Sequence, residues 1–234
     1  MSITIVQSAG SGPPGTGQKT ATLGSAPTTN NLLLFFVGRL HSATISTPPT
    51  GSTSFASFSG SEIGWNVYWR TVVGGDGTSW TETPSTDYSA MVVLELSGIA
   101  VGLGAFDNTP TTTNETSDVS SITSSSTVPS TAANQGLGLS FLVMSGGNLP
   151  SASVSSGWSI INEATATTLS SNYHDMHVAG TTTPLVAGTA VACTWSFTST
   201  ASWEAPATLL VAPPTVLAHK PFTKQQAVNR SYTY

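Results

Sequence analysis

Several groups of residues in this chain have the types and spacing of chemical machinery. The segment GSGPPGTGQKT at residues 10–20 has the glycines of a phosphate-cradling loop with a lysine and a threonine behind them. Such a loop needs its lysine directly after the last glycine, so that the ammonium reaches the β and γ phosphates, and a helix N-terminus to receive them. Here Gln18 separates Gly17 from Lys19, and ATLGSAP at residues 21–27 is a poor helix former, so the segment reads as a Gly/Pro-rich turn after a first strand. His174 and His177, with Asp175 between them, offer metal-ligand chemistry. Side chains three apart on an extended strand point to opposite faces, and no further His or Cys is placed to complete a coordination shell. Exposed polar residues at a loop or strand end are the expectation there.

Nucleophile and carboxylate chemistry is similarly thin. Cys193 falls on the apolar phase of VACTWSF at residues 191–197, where a thiol behaves as a small inert hydrophobe, and no Gly-x-Ser-x-Gly elbow occurs. Glu62, Glu82 and Glu95 lie near aromatics able to stack on a sugar. Glycoside cleavage needs two carboxyls about 5–9.5 Å apart, a condition met in space and not in sequence. Trp65, Trp69, Trp80, Trp195 and Trp203 are read as filling a core. GGDGT at residues 74–78 lacks the alternating acids of a calcium loop and reads as a tight hairpin turn between the Trp65 and Trp80 strands. The expectation is therefore no catalytic, cofactor-binding or metal-ligating residue, no cofactor, and no enzymatic activity.

The elements behind these residues are strands. In the 191–197 segment Val191, Cys193, Trp195 and Phe197 alternate with small or polar residues, and WNVYWRT at 65–71 repeats the pattern. Trp65, Val67 and Trp69 are expected to face a core, and Asn66, Tyr68 and Arg70 to face water. Further strands are expected around Ile3 and Ile5 and at 32–37, 90–96, 137–143, 158–161 and 208–211, punctuated by Gly/Pro turns. Many short strands with such spacing predict an all-β fold, an antiparallel β-sandwich of jelly-roll type. The halves also align: LLLFFV at 32–37 with LGLSFLV at 137–143, Trp80 with Trp195, and AMVVL at 90–94 with ATLLV at 207–211. Two similar strand sets, about 30–98 and 135–212, are expected to build one core within a domain spanning 1–213.

Composition narrows the partners. The chain is 7% charged, far below the roughly 25% of an ordinary globular domain, so hydroxyls supply its solubility. A net charge of -5 and few dispersed bases exclude phosphate-backbone binding, so no nucleic acid partner is expected. No apolar run approaches the roughly 20 residues of a membrane-spanning helix, and no membrane partner is expected. The N-terminus MSITIVQ lacks the basic and apolar regions of a Sec signal, and a lone cysteine makes no intrachain disulfide. A protein made in the cytoplasm yet composed for the exterior fits a virion component released by lysis.

Residues 214–234 differ from all of this. They contain no acid and half of the six basic residues, Lys220, Lys224 and Arg230, mixed with Leu217, Phe222, Tyr232 and Tyr234. This composition predicts an extended C-terminal docking tail, with these seven residues as its partner-binding positions. At about 3.3 Å per residue the tail reaches roughly 70 Å, enough to cross onto a neighbouring subunit.

The strand order, with LLLFFV, PPTG at 48–51, WNVYWR, GTSWTET at 77–83 and AMVVLELSG at 90–98, resembles accessory structural proteins of tailed bacteriophages: head decoration, minor tail and fibre-associated β-sandwich proteins. The resemblance spans about residues 30–212 and implies a homo-oligomeric, non-enzymatic protein that decorates or reinforces a head or tail, with major capsid or tail subunits as partners. The alternative is a carbohydrate-binding module or adhesin, with a host-surface glycan as ligand.

Overall fold

The computed structural model describes residues 3–11, 17–40, 43–85, 89–99, 102–112, 116–129, 136–146, 151–167, 173–199 and 203–213. The docking-tail positions Leu217, Lys220, Phe222, Lys224, Arg230, Tyr232 and Tyr234 lie outside the described residues. The fold is all-β with antiparallel sheets, consistent with a β-sandwich, and its one described helical turn is the 3-10 segment Gly102–Ala105.

The first half contributes β1 (Thr4–Gly10), β2 (Lys19–Thr22), β3 (Leu32–Leu40), β4 (Ile45–Thr47), β5 (Thr53–Ser59), β6 (Ile63–Thr71), β7 (Ser79–Pro84) and β8 (Ser89–Ser97). The second contributes β9 (Thr116–Ser117), β10 (Ser121–Thr123), β11 (Leu137–Gly146), β12 (Ala152–Val154), β13 (Trp158–Thr167), β14 (Tyr173–Thr181), β15 (Thr194–Phe197) and β16 (Trp203–Val211). Each half forms a five-stranded sheet and a three-stranded one. The orders are β1-β8-β3-β6-β5 with β2-β7-β4, and β9-β16-β11-β14-β13 with β10-β15-β12. Adding eight to every strand of the first half gives the second.

The segments paired in sequence thus occupy equivalent strands, with one correction. Phe36 pairs with Val67 and Val92, and Phe141 pairs with Val178 and Ala207, so Val92 corresponds to Ala207 and Ala90 to Ala205. The sequence alignment of β8 with β16 is two residues out of register. A slip of two keeps every side chain on its own face, so periodicity alone does not detect it.

Layers follow from alternation. Leu34 and Phe36 of β3, Trp65 and Val67 of β6 and Val92 and Leu94 of β8 meet Leu139 and Phe141 of β11, Val178 of β14 and Leu209 of β16 in a central core. The opposite phase of each large sheet is also covered. Leu33, Phe35, Tyr68 and Val93 pack under Trp80 and Ala21 of the first small sheet, and Leu142, Met144 and Ala179 pack against Cys193 and Trp195 of the second. The order is therefore small sheet, large sheet, large sheet, small sheet. This revises the expected wet face of β6: Asn66, Tyr68 and Arg70 do point away from Trp65, but Tyr68 is only 6% exposed because another sheet lies over it. Local alternation reports a face and not what covers it.

The halves meet about a pseudo-twofold axis parallel to the strands. Phe36 packs on its equivalent Phe141 with ring centroids 5.0 Å apart. Gly38 faces its own equivalent, Val143, so closely that a Cβ on Gly38 would lie 2.7 Å from Val143 Cγ2. Equivalent residues therefore sit at the same end of the molecule. The 74–78 segment is a turn, as expected, but β7 pairs with β2 and β4, so it carries the chain from one sheet to another instead of closing a hairpin. Arg70 holds it, with Nη2 donating to both Asp76 carboxylate oxygens at 2.7 and 2.9 Å and Nη1 donating to Thr50 O at 2.8 Å.

Candidate functional site

The chemistry-bearing side chains gather in two buried polar clusters, one on the outer face of each large sheet and at equivalent heights. In the first half, Lys19 of β2 pairs across the ladder with Glu82 of β7, and they are 3% and 0% exposed. Ser89 Oγ donates to Glu82 Oε1 at 2.5 Å. Burial raises the Glu82 carboxyl to about 7, against the Ser89 hydrogen bond and the Lys19 charge, which both pull it down. Burial, assisted by the Glu82 charge, also raises the Tyr68 hydroxyl. Arg39 of β3 completes the group, donating from Nε to Asn66 Oδ1 at 2.8 Å, from Nη1 to Ala43 O at 2.9 Å and from Nη2 to Phe58 O at 3.1 Å. Lys19 is the first residue of strand β2, and residues 12–16 of the Gly/Pro-rich turn expected before it lie outside the described residues. Its burial was legible, since KTAT alternates and Lys19 shares the buried phase with Ala21. Glu82 shares the phase of Trp80 in the same way.

The second cluster holds Asp175, His177 and Glu204, all less than 9% exposed; His174 is buried too but on the other face of β14, so neither histidine is the exposed residue expected from the sequence. Register makes His177 the equivalent of Asn66, Glu204 of Ser89 and Met144 of Arg39. As the strand period requires, His174 and His177 fall on opposite faces. His177 lies outward, with Nε2 3.4 Å from Asp175 Oδ2, Nδ1 3.3 Å from Glu163 Oε2 and its ring against Trp195. His174 lies on the phase of the central-core residue Met176, and burial lowers its imidazole to about 4 although the Asp175 charge pulls the other way. Among the described residues, no three His, Cys, Asp or Glu side chains come together as a metal shell.

The carboxylates considered for sugar cleavage are apart. Glu62 is an exposed turn residue. Glu82 bonds Ser89 at one end of β8, whereas Glu95 lies six residues along the same strand, roughly 20 Å away at 3.3 Å per residue and beyond the reach of a catalytic pair. Glu95 instead clamps a loop: it accepts from Gln7 Nε2 at 2.6 Å, Thr28 N at 2.8 Å and Asn31 Nδ2 at 2.6 Å. Burial raises its carboxyl, but those hydrogen bonds outweigh burial and hold it below the usual value. Cys193 is buried, and burial pushes its thiol up to about 11. Trp65, Trp80 and Trp195 are at most 4% exposed, and among the tryptophans only Trp203, at 37%, shows a large exposed face.

Comparison with protein-family models, with curated proteins and with solved structures gives no match for the chain. The geometry alone therefore carries the functional reading. Glu82 has no exposed surface, and its hydrogen bond with Ser89 ties β7 of the small sheet to β8 of the large one, while Arg39 joins β3 to β5 and β6 within the large sheet.

Proposed function

We propose that this chain is a non-enzymatic structural protein of a tailed-phage virion, decorating or reinforcing the head or tail surface and held to neighbouring subunits through its termini. Its partners are then capsid or tail subunits and further copies of itself. Each half is read as a jelly roll in which the fifth strand has moved into the sheet of the sixth, and residues 214–234 as an extended C-terminal arm. The observation that carries this reading is where the chain enters and leaves the body. Ile3 lines a cavity with Leu137 and Thr181, and Leu137 is the ladder partner of Val211, so the first and last described residues share one end. The two polar clusters lie toward the other. A body attached by both termini has one inner and one outer end, as a surface subunit requires.

The burial of Trp65, Trp80 and Trp195 weighs against a glycan-stacking platform, whose aromatic faces must be open. The test is incorporation. Particles banded from lysates should contain the chain in many copies, and the chain truncated after Pro213 should be folded and soluble but missing from the band. Normal incorporation of the truncated chain would overturn the arm, and absence of the full chain from particles would overturn the function.

A further inference from the structure

The terminal end of the body carries a feature that both halves keep. In the first half, Val72 N donates to Asn31 O at 2.9 Å, Val73 follows, and Asp76 N closes a turn on Val73 O at 3.2 Å. In the second, Leu185 N donates to Gly136 O at 3.0 Å, Val186 follows, and Thr189 N closes a turn on Val186 O at 3.2 Å. Asn31 and Gly136 immediately precede the equivalent strands β3 and β11. The third turn position is Gly75 at φ 89° in one half and Gly188 at φ 76° in the other, as a type II turn demands. Each turn buries one apolar residue and presents the next: Val72 is 1% and Val73 55% exposed, Leu185 6% and Val186 61%.

An exposed valine at this position does nothing for the turn, whose chemistry rests on the glycine. Its occurrence in both halves, whose sequences otherwise differ at most positions, asks for another reason. Of the five large hydrophobics exposed among the described residues, four belong to this end. Besides the two turn valines, Val6 projects from the bulge between Ile5 and Gln7, and Val128 adjoins the Thr127–Val191 bridge beside the second turn. A cavity of ≈ 120 Å³, lined by Ile3, Leu137 and Pro184 among others, opens at the same end. Exposed apolar surface gathered in this way marks an interaction site.

We propose that this end is the docking surface for residues 214–234 of the same kind of chain, the turn valines and the cavity receiving apolar anchors such as Leu217 and Phe222. The inference rests on the reading of those residues as an arm. Two observations favour this occupant. The arm starts here, because Val211 is the partner of Leu137. Its 21 residues span roughly 70 Å when extended, ample to cover this face or a neighbour's.

Cysteine cross-linking in the full chain tests this. Thr189→Cys stands beside Val186, and Thr223→Cys beside Phe222; native Cys193 is buried and stays out of the reaction. Mild oxidation of the double variant should give a disulfide, and adding Val73→Asp with Val186→Asp should lower its yield about tenfold, the effect of roughly 1.4 kcal/mol of lost apolar contact. Circular dichroism checks that the Asp variants, altered only at exposed positions, stay folded. Disulfide-linked dimers would support both the docking surface and the arm as a link between copies. A disulfide within one chain would support the surface but overturn the arm as a bridge. No disulfide, or a yield indifferent to the Asp pair, would overturn the docking surface while leaving particle incorporation to decide the function.

Discussion

The outer cores of the two halves share a topology and differ in chemistry. In the first, Trp80 packs on Phe35 with ring centroids 6.0 Å apart, and the buried Lys19 and Glu82 lie two residues along the same face. In the second, Ser140 stands where the first half has Phe35, and Trp195 Nε1 donates to its Oγ at 3.0 Å. Ser124 Oγ lies 2.6 Å from Thr208 Oγ1 and accepts from Cys193 N at 3.0 Å, so hydroxyls do there what a phenyl ring does in the twin. Both covering sheets bury apolar area, but the first adds an aromatic pair where the second adds hydroxyl hydrogen bonds in a dry space. The strand order tolerates either, because order is set by ladder pairing and by the shared central core.

The largest expected effect breaks the apolar side of this comparison. Phe35→Ala should cost about 3–5 kcal/mol in chemical denaturation, the usual range for a fully buried phenyl, and its twin position offers no ring to fill the void. A cost below about 1 kcal/mol would mean that the first small sheet does not depend on that contact.

Next comes a difference of sign with pH. Glu82 has a folded pKa near 7, above its unfolded value of 4.5, so the native state holds its proton longer and stability falls as pH rises from about 4.5 to 7. His174 has a folded pKa near 4, below its unfolded value of 6.5, so the unfolded state holds more protons and stability rises with pH from about 4 to 6.5. Each contribution is on the order of 3 kcal/mol across its window, from 1.36 kcal/mol per unit, and they oppose each other between about 4.5 and 6.5. Glu82→Gln should therefore steepen the rise of stability with pH in that interval, and His174→Gln should turn it toward a fall. Urea midpoints from pH 4 to 8 read both; variants with slopes indistinguishable from the parent would remove these groups from the balance.

A smaller loss sharpens the polar side. Ser140→Ala leaves Trp195 Nε1 buried without its acceptor and should cost about 1–3 kcal/mol. The smallest effect belongs to the surface: Thr20 and Thr81 share an exposed hydroxyl contact at 2.8 Å, and Thr20→Val should change stability by less than about 0.5 kcal/mol. A Thr20 effect as large as that of Ser140 would show that these hydroxyls count equally whether wet or dry.

Many strand positions and the halves' correspondence were legible because period-two alternation is local: β6 reads directly from WNVYWRT and β15 from the end of VACTWSF, whereas β5 and β14 were not read as strands. The second covering layer was not, since Tyr68 has the same sequence signature under a sheet as under water. The buried charges were half legible. Lys19 and Glu82 lie in phase with Ala21 and Trp80, but only tertiary placement supplies Ser89 and the dry surroundings that raise the Glu82 carboxyl. Strand β9 was harder still, because just two of its residues pair with β16. Further along that edge Asn108 donates from Nδ2 to Thr208 O and accepts from Leu210 N, and Thr112 Oγ1 donates to Pro206 O, so side chains replace a missing backbone ladder. No periodicity encodes such a substitution.

The shared central core also has a consequence for synthesis. The first half can close its sheet as soon as Ser97 exists to meet Thr4. Its inner face, with Phe36, Trp65 and Leu94, then waits for β16, more than 100 residues later, an interval of roughly 5–20 s at ribosomal speed. During that wait the bare face of one nascent chain fits the second half of another as well as its own. Polysomes carrying several copies should favour exchanged pairs, and a chain only 7% charged has little repulsion to prevent them.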